Sequence, residues 1–241
     1  MSLTQEILEK TTALSDAEFE YTNTSDFSVT DTLNDDCNAI VMEATVIYLE
    51  IKNIEVLLKT GKRLAARIYK FYYNALKRIC QETGGHLDCY SPHGFLMIYP
   101  KKDYEISHVV DIAMKTAELI GTGLREPFEK HSHCNFAIGI DNGNILGTKT
   151  FTGNNDSHIA WFGHAIEKAI AISRLCQRPF FVGISGTVFH HLDDSMKKVT
   201  KRILGIKKDV DMWTRVSYEF ENVKKHLYQT NYQRSFDEGG K

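Results

Sequence analysis

The sequence lacks an excess of either charge: 29 Lys and Arg stand against 31 Asp and Glu, a formal net charge of −2. No field of one sign covers the protein, so nucleic acid is not the partner that its composition points to. No apolar run approaches the ~20 residues of a membrane-spanning helix, and no basic segment followed by an apolar one opens the chain. A protein without a membrane span, located in the cytoplasm, is therefore expected. The five cysteines (Cys37, Cys80, Cys89, Cys134 and Cys176) are scattered, odd in number and form no CxxC pair. That argues against a disulfide framework and for reduced thiols. A phosphate loop ending in Gly-Lys-Ser/Thr is missing, since Lys59-Thr60-Gly61-Lys62 lacks its order. His131, His133 and Cys134 lie close together and His190 adjoins His191, but neither group has the ligand spacing of a zinc site.

What is present is a chain of 241 residues, 42% hydrophobic, enough for one sizeable core plus an extension. The first 40 residues hold nine acids against the single base Lys10. Residues 1–43 read as a solvated acidic extension with a short helix near 3–14. The compensating bases come late, at Lys197, Lys198, Lys201, Arg202, Lys207 and Lys208.

From residue 44 the pattern is regular. Residues 44–51, ATVIYLEI, read as a buried strand. Apolar positions spaced three, four and seven apart then describe one long helix over 54–79, ended by Gly84-Gly85. The aromatics Tyr69, Phe71, Tyr72 and Tyr73 fall on this helix as a packing face. Residues 86–90 and 94–99 predict a hairpin, and Val109 to Ile120 a second helix closed near Gly121. A second hairpin is expected over 135–148 with Asn142-Gly143 at its turn. A helix at 163–175, a strand at 180–184, a short helix at 185–192, and strands near 200–206 and 212–219 follow, then a C-terminal helix and tail over 221–241. The order implies an α+β domain over 44–220, with a mainly antiparallel sheet and helices on one face.

Four stretches in this order resemble the class III adenylate and guanylate cyclase catalytic domain, over about 44–218: TVIYLEI at 45–51, GGHLDCYSPHGFLMIY at 84–99, AIGIDNGNILG at 137–147 and AWFGHAIEKA at 160–169. The resemblance implies a ferredoxin-like cyclase fold and head-to-tail pairing, as a homodimer or with another cyclase-like domain, with nucleotide between protomers.

It also implies where chemistry would reside. Cyclisation drives the ribose 3′-oxygen onto the α-phosphorus, and two metal ions hold the triphosphate for it. The family's two metal-binding aspartates correspond to Glu50 and His93. An imidazole is a poor ligand for Mg²⁺, which takes carboxylate and water oxygens. The ribose-orienting asparagine and the phosphate-neutralising arginine four residues later correspond to Glu167 and Ala171. Neither supplies the positive charge that the transition state needs. Arg174 stands one turn further on and reads as a solvated helix charge. The base-selecting pair corresponds to Cys89 and Ala160, and a late phosphate-gripping lysine to Lys207 or Lys208. Because each site in the family draws one half from each protomer, a homodimer of this chain lacks both halves, and pairing with an intact cyclase repairs neither site fully.

The expected function is a catalytically degenerate cyclase homology domain, a dimeric regulatory, scaffolding or nucleotide-sensing module with no cofactor. The alternative is an active nucleotidyl cyclase using Mg²⁺ or Mn²⁺ on atypical ligands drawn from Glu50, Glu55, Asp88 and His93.

Overall fold

A computed structural model describes residues 2–33, 38–91, 93–125, 135–151, 157–203 and 206–236. The His131, His133, Cys134 group and Cys37 lie outside the described residues. In chain order come α1 (Leu3–Asp16), β1 (Glu20–Asn23), a 3₁₀ turn (Phe27–Thr32), β2 (Asn38–Lys52), α2 (Ile54–Thr60), α3 (Lys62–Thr83), β3 (His86–Ser91), β4 (Gly94–Pro100), α4 (Ile106–Arg125) and β5 (Asn135–Phe151). Then follow β6 (Ser157–Phe162), α5 (His164–Leu175), β7 (Val182–Ser185), α6 (Gly186–His190), α7 (Asp194–Lys197), β8 (Lys198–Ile203), β9 (Ile206–Asp211), β10 (Thr214–Phe220) and β11 (Val223–Thr230).

Among the described residues nine strands form one sheet, in the order β10-β11-β7-β5-β2-β4-β3, with β1 added to β2 and β6 to β5. Only the β1–β2 and β5–β7 pairings are parallel. β8 and β9 make a separate two-stranded sheet. The expected α+β class with a mainly antiparallel sheet is what the chain adopts.

The apolar run that marks β2 does not alternate with polar residues, because both of its faces are covered. Ile47, Leu49 and Ile51 pack with Leu76 of α3 and Val109, Ile112 and Ala113 of α4. Met42, Ala44, Val46 and Tyr48 pack with Ala165, Ile166 and Ala169 of α5. Helices on one face, as expected from the sequence, therefore describes α3 and α4, while α5 lies on the opposite face. Gly139 of β5 permits that arrangement: a Cβ there would stand 1.9 Å from the Ala169 carbonyl oxygen, so only a bare backbone admits the helix.

Four local expectations are corrected. The pair Asn142-Gly143 is not a turn but the middle of β5, which runs straight through it against Thr45 and Ala44 of β2. Asn142 Nδ2 donates to Thr45 Oγ1 at 3.0 Å, and a Cβ added at Gly143 would stand 3.5 Å from the Ala165 methyl. A long partner strand and a helix overhead override the local turn signal. The C-terminal segment 223–230 is a strand, not a helix, and it inserts between β10 and β7. Its entry is a two-residue turn at Glu221 and Asn222, with φ of 51° and 59°, which suits the twist of a tight hairpin. The long helix over 54–79 is broken at Gly61 into α2 and α3. Farther along, α4 continues through Gly121 to Arg125 instead of closing there, while Gly84 caps α3 in the left-handed region at φ 74°, as expected.

Candidate functional site

Successive strand residues point to opposite sides, so Tyr48, Glu50 and Lys52 of β2 share the side that faces α5. Glu50 pairs in register with Gly94 of β4, and the Ile51 amide donates to the His93 carbonyl at 2.8 Å. The two residues at the metal positions of the resemblance are thus neighbours in space. Their chemistry is unlike a metal site. Glu50 Oε2 lies 2.5 Å from Lys52 Nζ, and Oε1 lies 3.8 Å from Arg174 Nε. The carboxylate side chain is only 14% exposed, so these two cations dominate its surroundings. His93 is exposed in the turn that leads into β4. One carboxylate already paired with two cations does not match the oxygen-rich octahedron that Mg²⁺ takes. Among the described residues no three His, Cys, Asp or Glu side chains gather as a metal cluster.

Helix α5 is capped by Gly163, whose φ of 144° favours glycine and where an added Cβ would stand 3.0 Å from the Asn144 carbonyl oxygen. From that anchor Glu167, Ala171 and Arg174 fall on one helical face, at intervals of four and three. Glu167 is exposed and its charge pushes up the Tyr90 hydroxyl, after the larger effect of burial. Arg174, read from the sequence as solvated, reaches Glu50 from the other end of this face. Between them the Tyr48 and Tyr90 rings meet edge to face at 6.1 Å, and Tyr48 Oη lies 3.2 Å from Ser91 Oγ. Burial raises the Tyr48 hydroxyl above its ordinary value, a rise that the Ser91 bond opposes. The result is a row of side chains between α5 and the sheet, with the acid Glu167 at one end, the two tyrosines between, and Lys52 and Arg174 about Glu50 at the other.

The base-selection positions fare differently. Cys89 contacts Tyr69 of α3, on the opposite side of the sheet from that row, and Ala160 pairs with Thr148 within the β5–β6 hairpin. The strands that carry them are joined by other residues: His158 Nε2 lies 3.7 Å from Asp88 Oδ1. Asp88 is 7% exposed, and burial raises its carboxyl against the pull of His158 and His86. Burial in turn lowers His86, which stacks on Phe27 at 4.7 Å. Lys207 is exposed on β9 opposite Arg202, in the separate two-stranded sheet away from Glu50. Glu55 is exposed in the first turn of α2.

Sequence reasoning missed Lys52, although its spacing of two from Glu50 puts both on one strand face. It also missed the Asp88–His158 contact, for which the chain offers no local signal.

No family model matches the chain, and no curated protein matches it. Solved structures do. The guanylyl cyclase Cya2 superposes with a TM-score of 0.62 at 10% identity, over 79% of this chain and 92% of that one. A class III adenylyl cyclase-like ATP-binding protein from Pseudomonas aeruginosa gives 0.63 at 17% identity, over 81% of this chain and 45% of that one. The adenylyl cyclase CyaB from the same organism gives 0.60 at 13% identity, over 81% and 97%. The chain has the class III nucleotidyl-cyclase fold. At these identities the likeness is one of fold, and within that cyclase fold the row described above carries its own set of side chains. Among the described residues no helix is long and apolar enough to cross a membrane.

Proposed function

We propose that this chain is a non-cyclising domain of the cyclase fold that works as a dimeric regulatory, scaffolding or nucleotide-sensing module. The observation that carries the reading is the Lys52–Glu50–Arg174 arrangement. Formal charges of +1, −1 and +1 leave that end of the row at +1 without any bound ion. A divalent cation would have to displace an ammonium at 2.5 Å and settle beside a guanidinium, which Coulomb repulsion opposes. The same net charge favours phosphate oxygens, so this end of the row suits a nucleotide phosphate bound without metal. Glu167 and Ala171 add nothing to stabilise charge building on a phosphorus in transit. The Pseudomonas aeruginosa protein of the same fold, described as adenylyl cyclase-like and ATP-binding, is a parallel for nucleotide binding in this scaffold. The buried thiols Cys80 and Cys176 suit a reducing compartment such as the cytoplasm.

The test is incubation of the purified protein with ATP, GTP, CTP and UTP in Mg²⁺ and in Mn²⁺, with chromatography for cyclic products. No product is expected, and calorimetric ATP binding is expected to be as tight in a chelator as in Mg²⁺. Cyclic product that disappears with Glu50→Gln overturns the reading and restores the active-cyclase alternative. Sedimentation of a strict monomer removes the dimeric part.

A further inference from the structure

On the flank of α5 away from the Glu50 cluster, a second concentration of positive charge forms where the sheet opens. β7 stops at Ser185 while β11 does not: Leu227 pairs with Ser185, so residues 224–226 have no β7 partner. A cleft of about 340 Å³ lies there, lined by Lys168 of α5, Arg215 of β10, Lys224, Lys225 and His226 of β11, and His190 of α6. No acid is among its lining residues. Glu219 stands opposite Lys224 in the ladder, yet among the described residues no carboxylate forms an ion pair with Arg215, Lys224 or Lys225. A second acid nearby, Asp141, is buried at 1% exposure and holds Lys168 with Oδ2 at 3.4 Å from Nζ. Four Lys and Arg charges less the carboxylates of Asp141 and Glu219 leave +2 at the slot.

Like charges brought together from three elements repel one another, and nothing in the folded chain offsets most of that repulsion. His226 registers it: desolvation, then the charges of Arg215 and Lys224, hold its imidazole below the usual value. A monovalent anion would neutralise half of the excess. A diphosphate or triphosphate chain carries the matching charge, and the volume is at the lower end of small-ligand sites. The hydroxyls of Thr187 and Tyr218 line the same space and offer further donors.

We propose that this slot binds the diphosphate or triphosphate group of a small molecule, free or carried on a nucleotide, at a site separate from the Glu50 cluster. The test is titration calorimetry on the full chain with tripolyphosphate, orthophosphate and ATP, in wild type and in the double variant Arg215→Gln, Lys225→Gln. Tripolyphosphate is expected to bind the wild type with one-to-one stoichiometry, more tightly than orthophosphate. Charge-assisted hydrogen bonds of this kind make the double variant at least about tenfold weaker, and added salt weakens the wild type. ATP that loses affinity in parallel identifies the phosphate chain of a nucleotide. ATP that does not, with tripolyphosphate lost, restricts the slot to free polyphosphate. An independent readout on the wild type is acetylation of Lys168 and Lys225 mapped by mass spectrometry, which tripolyphosphate should slow. Absence of wild-type binding, equal affinity in the double variant, or unprotected lysines overturns the proposal.

Discussion

Replacing Lys168 by Met isolates the electrostatics of the sheet interior. Asp141 is 1% exposed, its Oδ2 faces Lys168 Nζ at 3.4 Å, and its Oδ1 has no hydrogen-bond partner by distance and angle. Burial lifts the carboxyl above its ordinary 3.8, while Ser185 and then Lys168 pull it back. Native protein therefore keeps this proton to higher pH than the unfolded chain does, and Asp141 removes stability as pH rises from the unfolded value through the raised native one. Without Lys168 the native value climbs further and the window of loss widens upward. Removing one partner of a buried pair costs about 3–5 kcal/mol. Lys168 is 16% exposed, so water offsets part of this, and we expect about 2–3 kcal/mol near pH 7.5, set against a usual total of about 5–15. Near pH 2.5, well below the ordinary 3.8, where Asp141 is largely protonated in both states, the deficit should fall to about 1 kcal/mol, the value of a lost hydrogen bond. Urea unfolding followed by the fluorescence of the buried Trp161 and Trp213 reads both values. Adding Asp141→Asn to Lys168→Met should recover most of the loss near pH 7.5. A deficit under about 1 kcal/mol at neutral pH, or one that does not change with pH, would refute the reasoning.

Gly139→Ala should destabilise by about 3 kcal/mol or more, since its Cβ would meet the backbone of α5 at Ala169 and Ser173 and not a movable side chain; a loss below about 1 kcal/mol in the same unfolding assay contradicts the close approach of α5 to β5. Glu221→Gly should raise stability by up to about 1 kcal/mol, because it relieves a φ of 51° and gives up only an exposed 3.5 Å contact with His164; a loss would mean that this contact outweighs the backbone. Burial pushes the thiols of Cys80 and Cys176 up to about 12, whereas Cys89 is exposed. Iodoacetamide mapped by peptide mass spectrometry should label Cys89 in native protein at least about 100-fold faster than either buried thiol, and equal rates would show that those thiols are open to water.

Legible in the chain itself were the features written in local periodicity. The apolar run of β2, the helical spacing of α3 and α5, the left-handed cap at Gly84 and the β3–β4 hairpin all follow from residues within a few positions of one another, and their order carried the resemblance to the cyclase fold. Glu50 and His93 could be placed together only through the metal positions that the resemblance implied, since the β2–β4 pairing that unites them spans distant parts of the chain. Tertiary structure alone decided the rest. Asn142-Gly143 looks like a turn until β2 and α5 claim it, and 223–230 becomes a strand only because β7 offers an edge. The placement of α5 opposite α3 and α4 depends on Gly139 yielding space to a helix distant in sequence. Likewise Arg174 finds Glu50, Asp88 finds His158, and Lys224 and Lys225 come to line one slot with Lys168 only once the sheet has assembled. Charges act through space and not along the chain, so the sign of each site is set by which elements the fold brings side by side.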